Sequence, residues 1–232
     1  MNTIGHFFLN FSTCLYLIWF VPQILLNFKR KNTQGLSLLM CSILFISYFT
    51  DLLYGFGLKM QWQYRLVTIV GLFCLTLQHF QFAYYGLGNN RQKYIYYTLS
   101  FIYCILFYCC IQLLLSGHHS RNFYDSIGVI NNICSVSYTI PQLIKNYLNQ
   151  STLGLSLGFI VLAMGLNLCD EMTAWLLHWD YPSKIGPIIT FTGNCLLFLQ
   201  IHYYEKHFFS FATVAAYCKR RFRVTSKITP AC

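Results

Sequence analysis

Apolar residues run along this chain in stretches of around 20, separated by short polar loops. Each stretch is long enough to cross a bilayer. The pattern predicts seven spans, at about residues 5–28, 36–57, 66–86, 94–115, 124–147, 154–177 and 186–205. The expectation is an all-α membrane protein forming a single multi-pass unit.

The polar breaks between these runs repeat. Val21-Pro22-Gln23-Ile24-Leu25-Leu26-Asn27 is followed by Thr33-Gln34-Gly35-Leu36-Ser37-Leu38. Ile140-Pro141-Gln142-Leu143-Ile144-Lys145-Asn146 is followed by Ser151-Thr152-Leu153-Gly154-Leu155-Ser156-Leu157. The copies align without a gap at a spacing of 119. A repeat of this length and order implies internal duplication, at a spacing too long for a solenoid unit and suited to a transporter built from two halves. Spans 1–3 match spans 5–7. Leu77-Gln78-His79-Phe80 and Leu199-Gln200-Ile201-His202 end the third spans, aligned with a three-residue slip. An odd number of spans per half needs one linking span to restore orientation. Seven transmembrane helices are therefore expected as two parallel three-helix bundles (3+1+3). The divisions are residues 1–88, a linker helix at 89–121, residues 122–206, and a basic tail at 207–232.

Charge changes the picture in two ways. Only 9% of the 232 residues are charged, against about 25% in soluble domains, so the surface must face lipid. The net charge of +10 does not indicate nucleic acid, because the basic residues sit in short loops and the tail. Twelve of them fall on the side of the C-terminus and four on the other. This bias predicts a cytosolic C-terminus and a lumenal or extracytoplasmic N-terminus. The N-terminus lacks a basic n-region and a small-residue cleavage site, so the first run reads as a retained span. The 11 cysteines lie mostly inside apolar runs and read as small apolar residues. No enzyme signature and no cofactor motif appears, and His118-His119 reads as a solvated loop pair.

Candidate chemistry lies within the spans. Pro22 frees the carbonyl of Ile18 and Pro141 frees that of Ser137, which suits paired hinges. Gln23 and Gln142 add an amide at each hinge and are gate candidates. Asp51 and Asp170 lie 119 residues apart, each sixteen residues after its glycine, toward the lumenal ends of their spans. With Glu171 they are candidates for a proton-coupling site. The alternative is a solvated interface position, capping or pairing with Lys59 or Lys184. His79 and His202 are further titratable groups. Polar groups on apolar spans face protein or water, which makes Tyr48, Thr50, Tyr138, Asn167, Thr190, Thr192 and Asn194 cavity candidates. Of these, Tyr48, Tyr138, Asn167 and Asn194 are the expected substrate-binding set.

The two Pro-Gln stretches, each followed by Gly-Leu-Ser, resemble the PQ-loop repeat family of membrane transporters, which includes cystinosin and lysosomal amino acid exporters. SWEETs and the KDEL receptor share a similar fold. The resemblance implies a central cavity, rocking about the Pro-Gln hinges, and export of a small solute from an acidic lumen. It points to an amino acid of cystine or cationic type, to protons as a coupling ion, and to a lysosomal or vacuolar-type endomembrane, with a bacterial inner membrane as the alternative. One departure stands out. Cystinosin-like exporters resemble one another in a mid-span acid that here is Ala163, with Leu44 as its first-repeat equivalent, and a second acid in the last span falls at Asn194. Coupling, if by acids, then passes to Asp51, Asp170 and Glu171. The alternatives to a transporter are a KDEL-receptor-like cargo receptor and a non-transporting scaffold. The expected partners are a small-molecule solute, protons and the lipid bilayer, with no nucleic acid.

Overall fold

The computed structural model describes residues 2–85, 90–116, 120–179 and 181–208. These residues form nine helices and no strand: α1 (Asn2–Trp19), α2 (Val21–Arg30), α3 (Leu38–Gly57), α4 (Trp62–Tyr85), α5 (Asn90–Ser116), α6 (Arg121–Ser137), α7 (Thr139–Asn149), α8 (Leu157–Leu176) and α9 (Tyr181–Phe208). Six stretches are long and apolar enough to cross a membrane, beginning with Thr3–Arg30, which contains both α1 and α2. The helices match the expected spans to within a few residues, reaching beyond them at most ends, while α3 and α8 begin two and three residues later than expected. The basic tail from residue 209 and the His118-His119 pair lie outside the described residues.

The divisions between α1 and α2 and between α6 and α7 come from proline. Phe20 and Tyr138 keep right-handed helical dihedrals, so the chain continues in the same sense through both points. What is lost is the hydrogen bond a proline nitrogen cannot donate. Both short helices then end on a residue in the left-handed region, Lys31 (φ 48°) and Gln150 (φ 47°). The Gly-Leu-Ser segments follow. In each, the leucine is buried, and the serine hydroxyl caps the next helix, Ser37 accepting from Met40 N at 3.3 Å and Ser156 from Phe159 N at 3.4 Å. A serine at this position satisfies one of the orphan amides of a helix start.

Packing closes six elements into a ring. α1 packs on α4, α4 on α3, α3 on α6, α6 on α9, α9 on α8, and α8 back on α1. Within each half the third helix therefore sits between the first and second. The halves meet through two equivalent seams, α1 with α8 and α3 with α6. Among the described residues, α5 stands outside the ring, against α3 and α4 only.

The ring also corrects the sequence register. Asn27 Nδ2 donates to Gln81 Oε1 at 2.9 Å, and Asn146 Nδ2 donates to Gln200 Oε1 at 2.9 Å. Gln81 Nε2 bonds Ile24 O at 2.9 Å, and Gln200 Nε2 bonds Leu143 O at 3.1 Å. Gln81, not Gln78, is thus the partner of Gln200, at the same spacing of 119 as the motif. The three-residue slip disappears. The chance similarity of Leu77-Gln78 to Leu199-Gln200 had masked it, while the buried amide pair fixes the true register.

Candidate functional site

A cavity of about 140 Å³ lies inside the ring, lined by all six of its helical walls. That is the volume class of a benzene-sized guest. Trp19 and Tyr138, the last residues contributed by α1 and by the α6 side of the break, lie at its end nearest the Gly-Leu-Ser segments. There Trp19 stacks on Phe159 with centroids 5.2 Å apart, and its indole N–H donates to Phe159 O at 3.0 Å.

Below the aromatic floor the halves are clasped. Gln23 Nε2 donates to Gly154 O at 2.8 Å, and Gln23 Oε1 accepts from Ser156 N at 2.8 Å. Gln142 Nε2 donates to Gly35 O at 2.9 Å, and Gln142 Oε1 accepts from Ser37 N at 2.7 Å. Each glutamine reaches into the Gly-Leu-Ser segment of the other half. Both are fully buried, and each is held upright by an asparagine one turn on, Asn27 or Asn146. The glycines meet at the centre. A Cβ on Gly35 would lie 1.8 Å from Leu153 O and 2.6 Å from the Cα of Gly154. Gly154 also has φ +108°, a conformation that strains any side chain. One bond has no counterpart: Lys145 Nζ donates to Leu36 O at 2.8 Å, where the first half carries Leu26.

The paired acids both line the cavity. Asp170 accepts from Ser12 Oγ at 2.8 Å and from Tyr16 Oη at 2.6 Å, both on α1. Asp51 Oδ1 accepts from Asn131 Nδ2 at 2.7 Å and from the Tyr64 hydroxyl. Ser12 and Asn131 are themselves 119 apart. Each acid therefore bonds the equivalent residue on the first helix of the opposite half. Neither pairs with Lys59 or Lys184; Lys184 lies over the Trp175 ring at 5.0 Å. Both oxygens of Asp170 are engaged, whereas both of these bonds to Asp51 fall on its Oδ1.

Of the expected substrate-binding set, Tyr48, Tyr138 and Asn167 line the cavity. The Tyr48 hydroxyl, the Asn167 amide nitrogen and the Trp179 indole nitrogen are buried without a hydrogen-bond partner. Asn194 does not line it. It is fully buried behind Tyr138 and donates to Tyr138 Oη at 2.9 Å, which fixes that ring. Glu171 does not join the acids either. Consecutive helical residues point about 100° apart, and its carboxylate instead accepts from the Trp175 indole on its own helix. Thr190 reaches the cavity, Thr50 bonds Ser47 O beside Asn131, and Thr192 bonds Ile188 O on an exposed face. His79 is buried away from the cavity with Tyr103, and His202 is exposed. Ser12, Tyr16, Tyr64, Asn131 and Trp179 are site residues that sequence reasoning passed over. The 119 spacing applied to every polar residue would have exposed Ser12 and Asn131 together.

A scan of protein families matches the PQ loop repeat to residues 4–64 and 123–181, over half of the chain and once in each half. A sequence search of curated proteins found no match. Among solved structures, the fold is similar to that of a eukaryotic SWEET transporter with a TM-score of 0.66 at 11% identity, covering 88% of this chain and 99% of that one.

Proposed function

The chain belongs to the PQ-loop repeat family, and from that premise we propose that it carries a small polar solute across a membrane by alternating access. The observation that carries the reading is the cavity itself, sealed at one end by two reciprocal glutamine clasps and lined by buried polar groups that lack partners. Unsatisfied buried groups cost about 1–3 kcal/mol each, and a solute offering both donors and acceptors would satisfy them.

The architecture proposed is 3+1+3. Arg121–Asn149 serves as the seventh span, since its broken helix repeats that of Thr3–Arg30. Residues 1–88 and 122–206 form the halves, 89–121 the link. The basic-residue bias supports an N-terminus in the lumen and Gly-Leu-Ser segments in the cytosol. The clasped form is then closed to the cytosol. Pro22 and Pro141 let α2 and α7 swing, the glutamines release, and the cavity opens to the cytosol.

The solute proposed is an amino acid. Its ammonium meets the Asp51 carboxylate, and its carboxylate meets the donors of Tyr48, Asn167 and Trp179. Asp170 holds α1 to α8 through Ser12 and Tyr16, so protonating it would loosen that seam; this is the route proposed for proton coupling from an acidic endomembrane lumen. Flux of labelled amino acids into proteoliposomes, at lumenal pH 5 and 7.5, tests the reading. Saturable exchange supports it. Binding of peptide termini without flux would instead identify a cargo receptor, and neither binding nor flux would identify a scaffold.

A further inference from the structure

A second cavity, of about 690 Å³, lies outside the ring where α5 leans on α3 and α4. We propose that it is a binding site for one phospholipid of the leaflet remote from the Gly-Leu-Ser segments, with an anionic headgroup preferred. Its floor is α3 and its walls are α4 and α5. The lining is almost wholly apolar, including Phe49, Phe73, Phe80 and Phe107. Phe73 and Phe80 are 63% and 66% exposed, so among the described residues no side chain fills the groove in front of them.

Length, closure and charge select the occupant. Along α3 the groove runs from Phe45 to Phe56. Eleven residues of helix rise about 17 Å. One leaflet of a bilayer core is about 15 Å thick, so the groove fits the depth of a single acyl layer. Its inner end is shut by a polar pair, Tyr103 Oη and His79 Nε2 at 3.0 Å, while His79 Nδ1 is spent on Leu75 O at 2.8 Å. These groups satisfy one another and ask nothing polar of a guest. Its outer end carries a charge against the lining: the Arg65 guanidinium sits 5.4 Å from the centroid of Phe56. An acyl chain in the groove places its phosphate at that guanidinium.

The test is native mass spectrometry of the full chain released from nanodiscs of mixed phosphatidylglycerol and phosphatidylcholine. The wild type should retain one lipid, enriched in phosphatidylglycerol. Arg65→Ala should lower that enrichment about fivefold, the equivalent of about 1 kcal/mol per basic residue near a headgroup. Thr76→Trp on α4 and Cys104→Trp on α5 each fill the groove and should abolish retention. Solute binding in the central cavity, measured on the same variants, should be unchanged and confirms folding. Retention that survives both tryptophan variants would overturn the proposal, as would a wild type that keeps no lipid. Retention without any headgroup preference, unaltered by Arg65→Ala, would overturn the anionic assignment.

Discussion

Gly35 and Gly154 touch: a Cβ built on Gly35 would come within 2.6 Å of the Cα of Gly154. The two Gly-Leu-Ser segments can approach this closely only while both positions lack a side chain. Gly35→Ala and Gly154→Ala should each hold the segments apart. Spin labels placed on α2 and α7 should report a longer distance than in wild type. Gly154→Ala should cost more stability, by about 1–3 kcal/mol, because its backbone conformation is also strained.

The glutamine clasps predict a split between binding and exchange. Gln23→Leu strands Gly154 O and Ser156 N, and Gln142→Leu strands Gly35 O and Ser37 N. Each variant should destabilise the clasped form by about 1–3 kcal/mol. Solute affinity should change less than twofold, since neither glutamine lines the cavity. Pro22→Ala and Pro141→Ala should slow exchange without weakening binding. Normal exchange rates in both proline variants would mean that the breaks are static kinks.

The two acids should behave differently despite their matched positions. Asp51→Asn removes the negative charge that would meet the solute's ammonium and should weaken solute binding about tenfold or more, as expected for a charged hydrogen bond. Asp170→Asn should leave affinity nearer to wild type and flatten the dependence of export on lumenal pH. With protons entering from an acidic lumen, wild-type export should rise as lumenal pH falls. Flux measured across a series of lumenal pH values checks the sign and the loss.

Tyr48→Phe and Asn167→Ala remove groups that have no other partner. Each should lower solute affinity about tenfold while leaving the melting temperature at or above wild type, because removing a buried orphan relieves its desolvation cost. Asn194→Leu should do the reverse. It frees Tyr138 Oη in the core, and the expected loss is thermal stability first, with affinity following only through the tilt of the Tyr138 ring.

Much of the fold was legible because lipid demands long apolar runs, and because duplication wrote each junction twice. The Pro-Gln and Gly-Leu-Ser residues announced the clasp by repeating. The site was legible only where polar residues broke an apolar run conspicuously, as at Asp51, Asp170 and Asn167. Asn194 and Glu171 met the same criterion and do not reach the cavity. Facing is set by helix rotation against neighbours, which span-level polarity does not encode. Ser12 and Asn131 were hidden for the opposite reason: a serine and an asparagine look unrelated until the ring sets them against equivalent acids. The outward position of α5 has no signature at all in its own sequence, since its apolar residues would serve equally against protein or lipid.

The order of the ring bears on how the protein is made. α1 is synthesised first, yet one of its two neighbours in the ring is α8, well over a hundred residues later in the chain. Until α8 arrives, Ser12 and Tyr16 lack the carboxylate they bond in the finished molecule. α3 likewise awaits α6. Contacts so distant in sequence form slowly and leave surfaces exposed in the meantime. Biogenesis therefore carries a waiting period in which polar groups of the first half face the bilayer unpaired. A truncation after α5 should be cleared by membrane quality control, even though every helix it contains can insert.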